Sequence, residues 1–326
     1  MLRLHFSVED LARVRLAPGP DAMWEIALSV HQLAFPTEQV PFFTRWRHRT
    51  SRSLAHGRLR AEATALATLV PAASYFPDFL TPAGHEPAVE VGIDTVLRSP
   101  KARIGDEIAQ LASGYRRTPG WMHTLASGQA GALNKLGATL RRYHAAAIAP
   151  HTAAMNRTIE RDLAYRREVL ATQGVEALLD GLNERVSWSD RVLRVRYPVD
   201  TDIHLEGRGL LLIPSFFCSH GPIGLADRSL PPVLVYPVRR PELWQLDREP
   251  GEGALDALIG PTRASVLRLL ESPSTVSGLA GVLEVAPSTV SRHATVMRKA
   301  GLVRAARDGE RVLLFRTDLG QSLLDG

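Results

Sequence analysis

A single cysteine, Cys218, is all the thiol chemistry this chain of 326 residues has. That excludes an internal disulfide framework and a multi-thiolate metal site within one chain, and it suits a reducing compartment. A long apolar run is also missing. The most hydrophobic stretch, Leu210 to Phe217, is far too short to span a bilayer and contains Pro214. The first residues turn polar at Glu9, Asp10 and Arg13 before a segment of signal-peptide length can form. The expectation is a soluble cytoplasmic protein with no membrane partner. There is no internal repeat and no low-complexity tract.

What is present is a globular composition. Hydrophobic residues make up 45% and charged residues 22%, so a sizeable core can be buried, and the length suits two or three domains. Arginine greatly outnumbers lysine, and the formal net charge is +5 with a pI near 9.7. A modest positive excess is compatible with a polyanion partner, although many arginine-rich chains bind none.

The first 187 residues read as largely helical after an extended start over residues 1–20. Asp21 is a candidate N-cap for a helix to Leu33, with Met23, Trp24, Ala27, Leu28 and Val30 as its apolar stripe. Further helices are expected over 42–70, 101–113, 122–146 and 150–171. On the last, Met155, Ile159, Leu163, Tyr165, Val169 and Leu170 form one side, and Arg157, Glu160, Arg161, Arg166 and Glu168 the other. From Val192 the pattern turns to β period, and residues 188–240 read as a small sheet packed on those helices. The polar, Pro- and Gly-containing run 247–253 is the best linker candidate. The predicted organisation is therefore a mainly α domain with a small β-sheet (α+β) over 1–246, a linker over 247–253, and a separate module over 254–326.

In that module a helix over 254–270 is interrupted at Gly260-Pro261, and Pro261 suits a helix N1 position. A short helix from Thr275 to Leu283 follows, then the turn Glu284-Val285-Ala286. The next helix runs from Pro287 to Ala300 and is closed by Gly301. A β-hairpin and a last helix from Asp318 complete the order, which is that of a winged helix-turn-helix. Val290, Ala294 and Met297 at i, i+4 and i+7 bury one side of the Pro287–Ala300 helix. Ser288, Thr289, Ser291, Arg292 and Thr295 are left on or near the side that can leave the domain. Small hydroxyl side chains let a helix sit deep in a major groove, and an arginine can bond guanine bidentately or clamp a phosphate. The helix carries Arg292, Arg298 and Lys299 and no acid, while Arg304, Arg307 and Arg311 on the wing are placed for phosphates or the minor groove. His293 is a further candidate DNA contact, or packs on the neighbouring helix.

The string Pro287-Ser288-Thr289-Val290-Ser291-Arg292-His293, Leu279-Ala280 before it and Met297-Arg298-Lys299-Ala300-Gly301-Leu302-Val303 after it resemble the ArsR family of bacterial regulators. That family usually has leucine where Ala294 stands. The resemblance implies a DNA-binding transcriptional regulator of the repressor type, a homodimer reading an inverted-repeat operator in double-stranded DNA. The clustered cysteines of the metal-sensing members are absent, so their thiolate chemistry is not carried over. In texture, at Trp24-Glu25 and Ile213-Pro214-Ser215, residues 1–246 resemble the domain that actinobacterial regulators place ahead of an ArsR-like module. That domain is expected to dimerise or to bind a small-molecule effector.

Two alternatives are weighed against this. An enzyme with a fused winged-helix module needs a convergent acid, base or nucleophile set in residues 1–245, and none is evident; no cofactor or metal is expected. His204, Glu206, Cys218 and His220 lack a strong metal-ligand spacing, and the basic run Arg45–Arg52 reads as a solvated helix face. The other alternative is a protein-interaction adaptor whose winged helix binds no DNA.

Overall fold

Asp21 starts the helix around which the N-terminal half is built. Its Oδ1 accepts the backbone N–H groups of Met23 (2.9 Å) and Trp24 (3.0 Å), satisfying two of the donors that a helix start leaves open. The helix Ala22–Ala34 is buried nearly all round, with Met23, Trp24, Ile26, Leu28 and Val30 inside the larger hydrophobic core. Glu25 is buried with them. Its two oxygens accept the backbone N–H groups of Phe216 (2.7 Å) and Phe217 (3.1 Å), which pins the chain after the strand Leu211–Ser215 to this helix.

The computed structural model describes residues 1–72, 75–197, 199–239, 254–309 and 311–325. The chain divides into two units, Met1–Leu246 and Asp247–Gly326. The fold is mainly α with small sheets, and the expected linker over 247–253 lies outside the described residues. Among the described residues no helix is long and apolar enough to cross a membrane.

Among the described residues, seven further helices share the core with Ala22–Ala34: Thr44–His56, Arg60–Leu69, Val89–Leu97, Lys101–Ser113, Gly120–Ala126, Ala130–Ala147 and Thr152–Gln173. Phe43 stacks on Phe217 and Trp46 lies tilted against it, and the Trp46 indole N–H donates to Ala147 O at 2.8 Å, so aromatic packing and one polar anchor join three segments.

The strands differ from the single small sheet expected over 188–240. Among the described residues of this unit there are two four-stranded sheets. One has the order Val186–Ser189, Val192–Val195, Leu2–His5, Thr201–His204, so a strand from the extended start over residues 1–20 lies inside the sheet, outside the 188–240 span expected for it. The other orders Arg15–Leu16, Leu211–Ser215, Val233–Pro237 and Ile223–Gly224, with parallel pairing between the first three. The Leu2–His5 strand buries Leu2 and Leu4, while Arg3 and His5 reach Asp202. Four alternating residues reveal a strand only when their partners, here about 190 positions on, are known.

The helix Thr152–Gln173 also corrects the sequence reading. Arg166, expected on its polar side, is only 1% exposed, and Tyr165, expected on its apolar side, is 43% exposed. The reason lies at Gly181 and Leu182, just past the helix Val175–Asp180, whose terminal carbonyls need donors. Arg166 supplies them, donating to Gly181 O and Leu182 O, while its Nε–H faces Asp162 at 3.5 Å. Asp162 in turn accepts the backbone N–H of Arg239 at 2.9 Å. Tyr165 is covered instead by the Arg239 guanidinium, 4.2 Å above its ring.

The C-terminal unit has the helices Ala254–Ile259, Pro261–Leu269, Val276–Val282 and Pro287–Lys299. The hairpin Val303–Asp308/Arg311–Arg316 and the helix Asp318–Asp325 follow. Its own core is made of Val266, Leu267, Leu270, Leu279, Ala280, Val290, Ala294, Met297, Val303 and Leu314. Ser274–Thr275, read from sequence only as the end of a helix and the start of the next, is a third strand against Leu313 and Leu314. This architecture is a winged helix-turn-helix.

Candidate nucleic-acid interface

Two backbone devices set the angle and length of the Pro287–Lys299 helix. Before it, Glu284 adopts φ +54°, and Val285 N–H reaches back to Ala280 O at 3.1 Å, closing the preceding helix in a Schellman turn without glycine. After it, Gly301 takes φ +74°. Leu302 N–H then bonds Met297 O (2.9 Å) and Gly301 N–H bonds Arg298 O (3.1 Å). The preceding helix starts on Thr275, whose Oγ1 accepts Gly278 N–H at 3.0 Å. Both ends of the helix-turn-helix are thus fixed by short-range hydrogen bonds.

One side of the Pro287–Lys299 helix is closed against the core by Val290, Ala294 and Met297, which are 0%, 4% and 1% exposed. The other side is open. Ser288, Ser291, Arg292, Thr295, Arg298 and Lys299 are exposed, and Thr289 is half-buried at the edge. From Val285 to Arg307 the chain holds Arg292, Arg298, Lys299, Arg304 and Arg307 and no carboxylate. An open helical face with small hydroxyls at its N-terminal end and cations along it presents positive charge without internal neutralisation. The Thr295 hydroxyl donates to Ser291 O at 2.9 Å, so it lies along the helix rather than reaching out.

His293 takes a different place from the other candidates. It is half-buried, and its Nδ1 accepts the Nε–H of Arg263, from the Pro261–Leu269 helix, at 3.3 Å. A guanidinium has only donors, so the imidazole proton sits on Nε2 and the ring is neutral in this contact. Burial, and then the charges of Arg263 and Arg292, hold its pKa below the usual histidine value. His293 therefore ties the exposed helix to the first long helix of the unit, not to the helix before it. Arg263 had no sequence signal, because the contact joins helices thirty positions apart.

On the wing, Arg304 and Arg307 are both exposed, whereas Arg311 is described only as the first residue of the returning strand. Arg304 is paired with Phe315 across the hairpin, and its guanidinium stands 4.8 Å from the centre of that ring. The aromatic platform limits the side chain's freedom while the residue stays exposed. Phe315 was missed as a supporting residue, although the hairpin register makes it the cross-strand neighbour of Arg304. The wing is further attached by Arg316, which donates to Leu267 O at 3.2 Å.

Of the four residues weighed for a metal, three go to separate partners. His204 stacks on His5 with centroids 4.4 Å apart. Cys218 Sγ lies 3.2 Å from Gly221 O, and His220 Nε2 donates to Glu38 O at 3.2 Å. Glu206 stands in a turn at φ +55°.

Compared with known proteins, residues 260–305 match the family model described as bacterial regulatory protein, arsR family. No curated protein and no solved structure matches the chain. The matched residues run from the N-cap of the Pro261–Leu269 helix through the Pro287–Lys299 helix into the wing, so the C-terminal unit carries the helix-turn-helix of the arsR family of bacterial regulatory proteins.

Proposed function

We propose that the chain is a transcriptional repressor that binds an inverted-repeat operator as a homodimer, working in the cytoplasm and without catalytic activity of its own. In this reading the Pro287–Lys299 helix lies in the major groove, Ser288, Ser291 and Arg292 meet base edges, and Thr289 and Thr295 line the approach. Arg298, Lys299, Arg304, Arg307 and Arg311 hold phosphates. The N-terminal unit dimerises or receives an effector and so biases the DNA-bound state.

The observation that carries the reading is the open, carboxylate-free face of a helix whose opposite side is closed by Val290, Ala294 and Met297. That combination suits a helix entering a groove, because exposed cations attract the flanking phosphates and a carboxylate beside them would offset that attraction. The test is a mobility-shift titration on the chain's own promoter fragment. Arg292→Ala is expected to weaken binding by about 1–3 kcal/mol and to relax sequence preference. Unchanged affinity and unchanged preference would remove this helix from the interface.

A further inference from the structure

The N-terminal unit holds a cavity of about 470 Å³, within the range of sites that bury small organic ligands. Four aromatic side chains, Tyr75, Phe76, Tyr197 and Phe217, line it alongside the aliphatic Leu28, Pro222 and Ile223. Phe217 belongs to the packed core beside Phe43 and Trp46, and Phe76 stands edge-on to Trp24 and to His31, so two of the four rings are held in place by neighbours that cannot easily move. Another wall is fixed by the buried Gln32. Its Nε2 donates to Glu38 O (2.6 Å) and to Ser219 Oγ (2.7 Å), and its Oε1 accepts Val40 N–H at 3.2 Å. The cavity is a formed feature of the fold.

The polar groups around it are unequally engaged. Asp78 is 4% exposed, and its two oxygens accept the backbone N–H groups of Ala226 (3.1 Å) and Asp227 (2.7 Å). Glu38 has His220 beside it, with Nε2 3.7 Å from its Oε2. His31 is buried and donates from Nε2 to Val70 O at 3.1 Å. Both carboxylates in the lining thus have partners within the protein. The two cations, Arg185 and Arg196, do not: among the described residues no carboxylate pairs with either, and both are exposed. They flank one strand pair, where Arg196 N–H bonds Arg185 O at 3.0 Å, so their side chains leave neighbouring points of the same sheet edge. The loop at Gly221 lies against the Arg185 stem, and a Cβ there would come within 3.3 Å of Arg185 Cδ.

We propose that this cavity binds an aromatic carboxylic acid, its ring between Tyr75, Phe76, Tyr197 and Phe217 and its carboxylate on Arg185 and Arg196. Planar guanidinium groups suit a carboxylate in a way that no other group in the lining does, and the flat aromatic walls suit a planar body. The proposal gives the effector role of the N-terminal unit a chemical class. Its direct test involves no DNA, so it stands or falls separately from the operator reading.

The test is calorimetric titration of the full chain with salicylate, 2-naphthoate and indole-3-acetate, each against its primary amide, and with tryptamine as the cationic control. At least one acid is expected to bind once per chain, with its amide weaker by about tenfold or more. The double variant Arg185→Gln/Arg196→Gln changes two exposed residues and should keep the melting temperature of the parent. It should lose about tenfold or more in affinity for the acid and leave the amide unchanged. Three results overturn the proposal: no heat from any of the acids at millimolar concentration, an amide or tryptamine binding as well as the acid, or a double variant that binds the acid as tightly as the parent.

Discussion

Arg263 donates its Nε–H to Nδ1 of His293 across 3.3 Å, joining the first long helix of the C-terminal unit to the helix that carries its open basic face. The contact works only while the ring is neutral, because a protonated imidazole has no acceptor and sets a second positive charge beside the guanidinium. Burial and the two arginines lower the His293 pKa, so this contact is fully present above the ordinary histidine value of 6.5 and is lost as pH falls through the lowered one. Arg263→Ala removes one of the causes. The His293 ring resonances, followed by NMR against pH, should titrate below 6.5 in the parent and closer to it in the variant. A variant midpoint equal to or below the parent's would mean that Arg263 exerts no field on the ring.

Arg304 resting on Phe315 gives the wing a different kind of prediction. A phosphate-holding arginine contributes without regard to sequence, whereas a base-reading one contributes at a single position. Arg304→Ala should therefore weaken binding to operator and to unrelated duplex alike. It should also reduce the slope of log affinity against log salt by about 1. Phe315→Leu, which removes the platform but keeps the charge, should fall between parent and Arg304→Ala in affinity with the salt slope retained. Filter binding across a salt series checks both. A loss confined to the operator would place Arg304 on a base edge instead.

How much of this was legible beforehand depends on how locally each feature is encoded. The Asp21 cap, the Gly301 stop and the buried triplet Val290, Ala294 and Met297 are written within one or two helical turns, and each stands where the sequence puts it. The exposed cations of the Pro287–Lys299 helix follow from the same period. What escaped are features whose partners are remote. The extended start was legible, but not that Leu2–His5 pairs with Val192–Val195 and Thr201–His204, nor that Ser274–Thr275 pairs with Leu313 and Leu314. Arg166 goes inside because the carbonyls of Gly181 and Leu182 draw it there, against the charge pattern of its own helix. Periodicity reports a helix's average preference for its two sides, and a single strong hydrogen-bonding demand outweighs it at one position.

The Arg166–Asp162 pair supplies a third prediction. Arg166 is 1% and Asp162 3% exposed, and Asp162 also holds the Arg239 backbone. Arg166→Ala leaves a buried carboxylate without its cation and two terminal carbonyls without their donor, and is expected to cost about 3–5 kcal/mol. Arg166→Met with Asp162→Leu removes the uncompensated charge along with the pair, so it should cost less than Arg166→Ala alone, although the Gly181, Leu182 and Arg239 backbone groups still lose partners. Urea unfolding midpoints of the three proteins decide this. A double variant less stable than Arg166→Ala would show that those backbone bonds, rather than the paired charges, dominate at this site.

His31 ties acid sensitivity to the centre of the N-terminal unit. It is buried between Phe35 and Phe76 and donates to Val70 O, and burial pushes its pKa down to about 4. In the unfolded chain the same ring takes up its proton near pH 6.5. Between those two values the unfolded state binds a proton that the folded state refuses, so stability falls as the pH falls, by about 3 kcal/mol in total. Above pH 6.5 the contribution is constant, and below about 4 both states are protonated and no more is lost. The buried carboxylates Asp21 and Asp78, whose pKa values burial raises, act in the opposite direction, since they favour the folded state as acid is added. The parent's total pH dependence mixes these effects, and the difference from His31→Gln isolates the histidine. Unfolding free energies measured at half-unit steps should show the variant losing less than the parent between pH 6.5 and 4, with the two curves parallel on the alkaline side. Curves parallel throughout would mean that the ring takes up its proton in the folded state as readily as in the unfolded one.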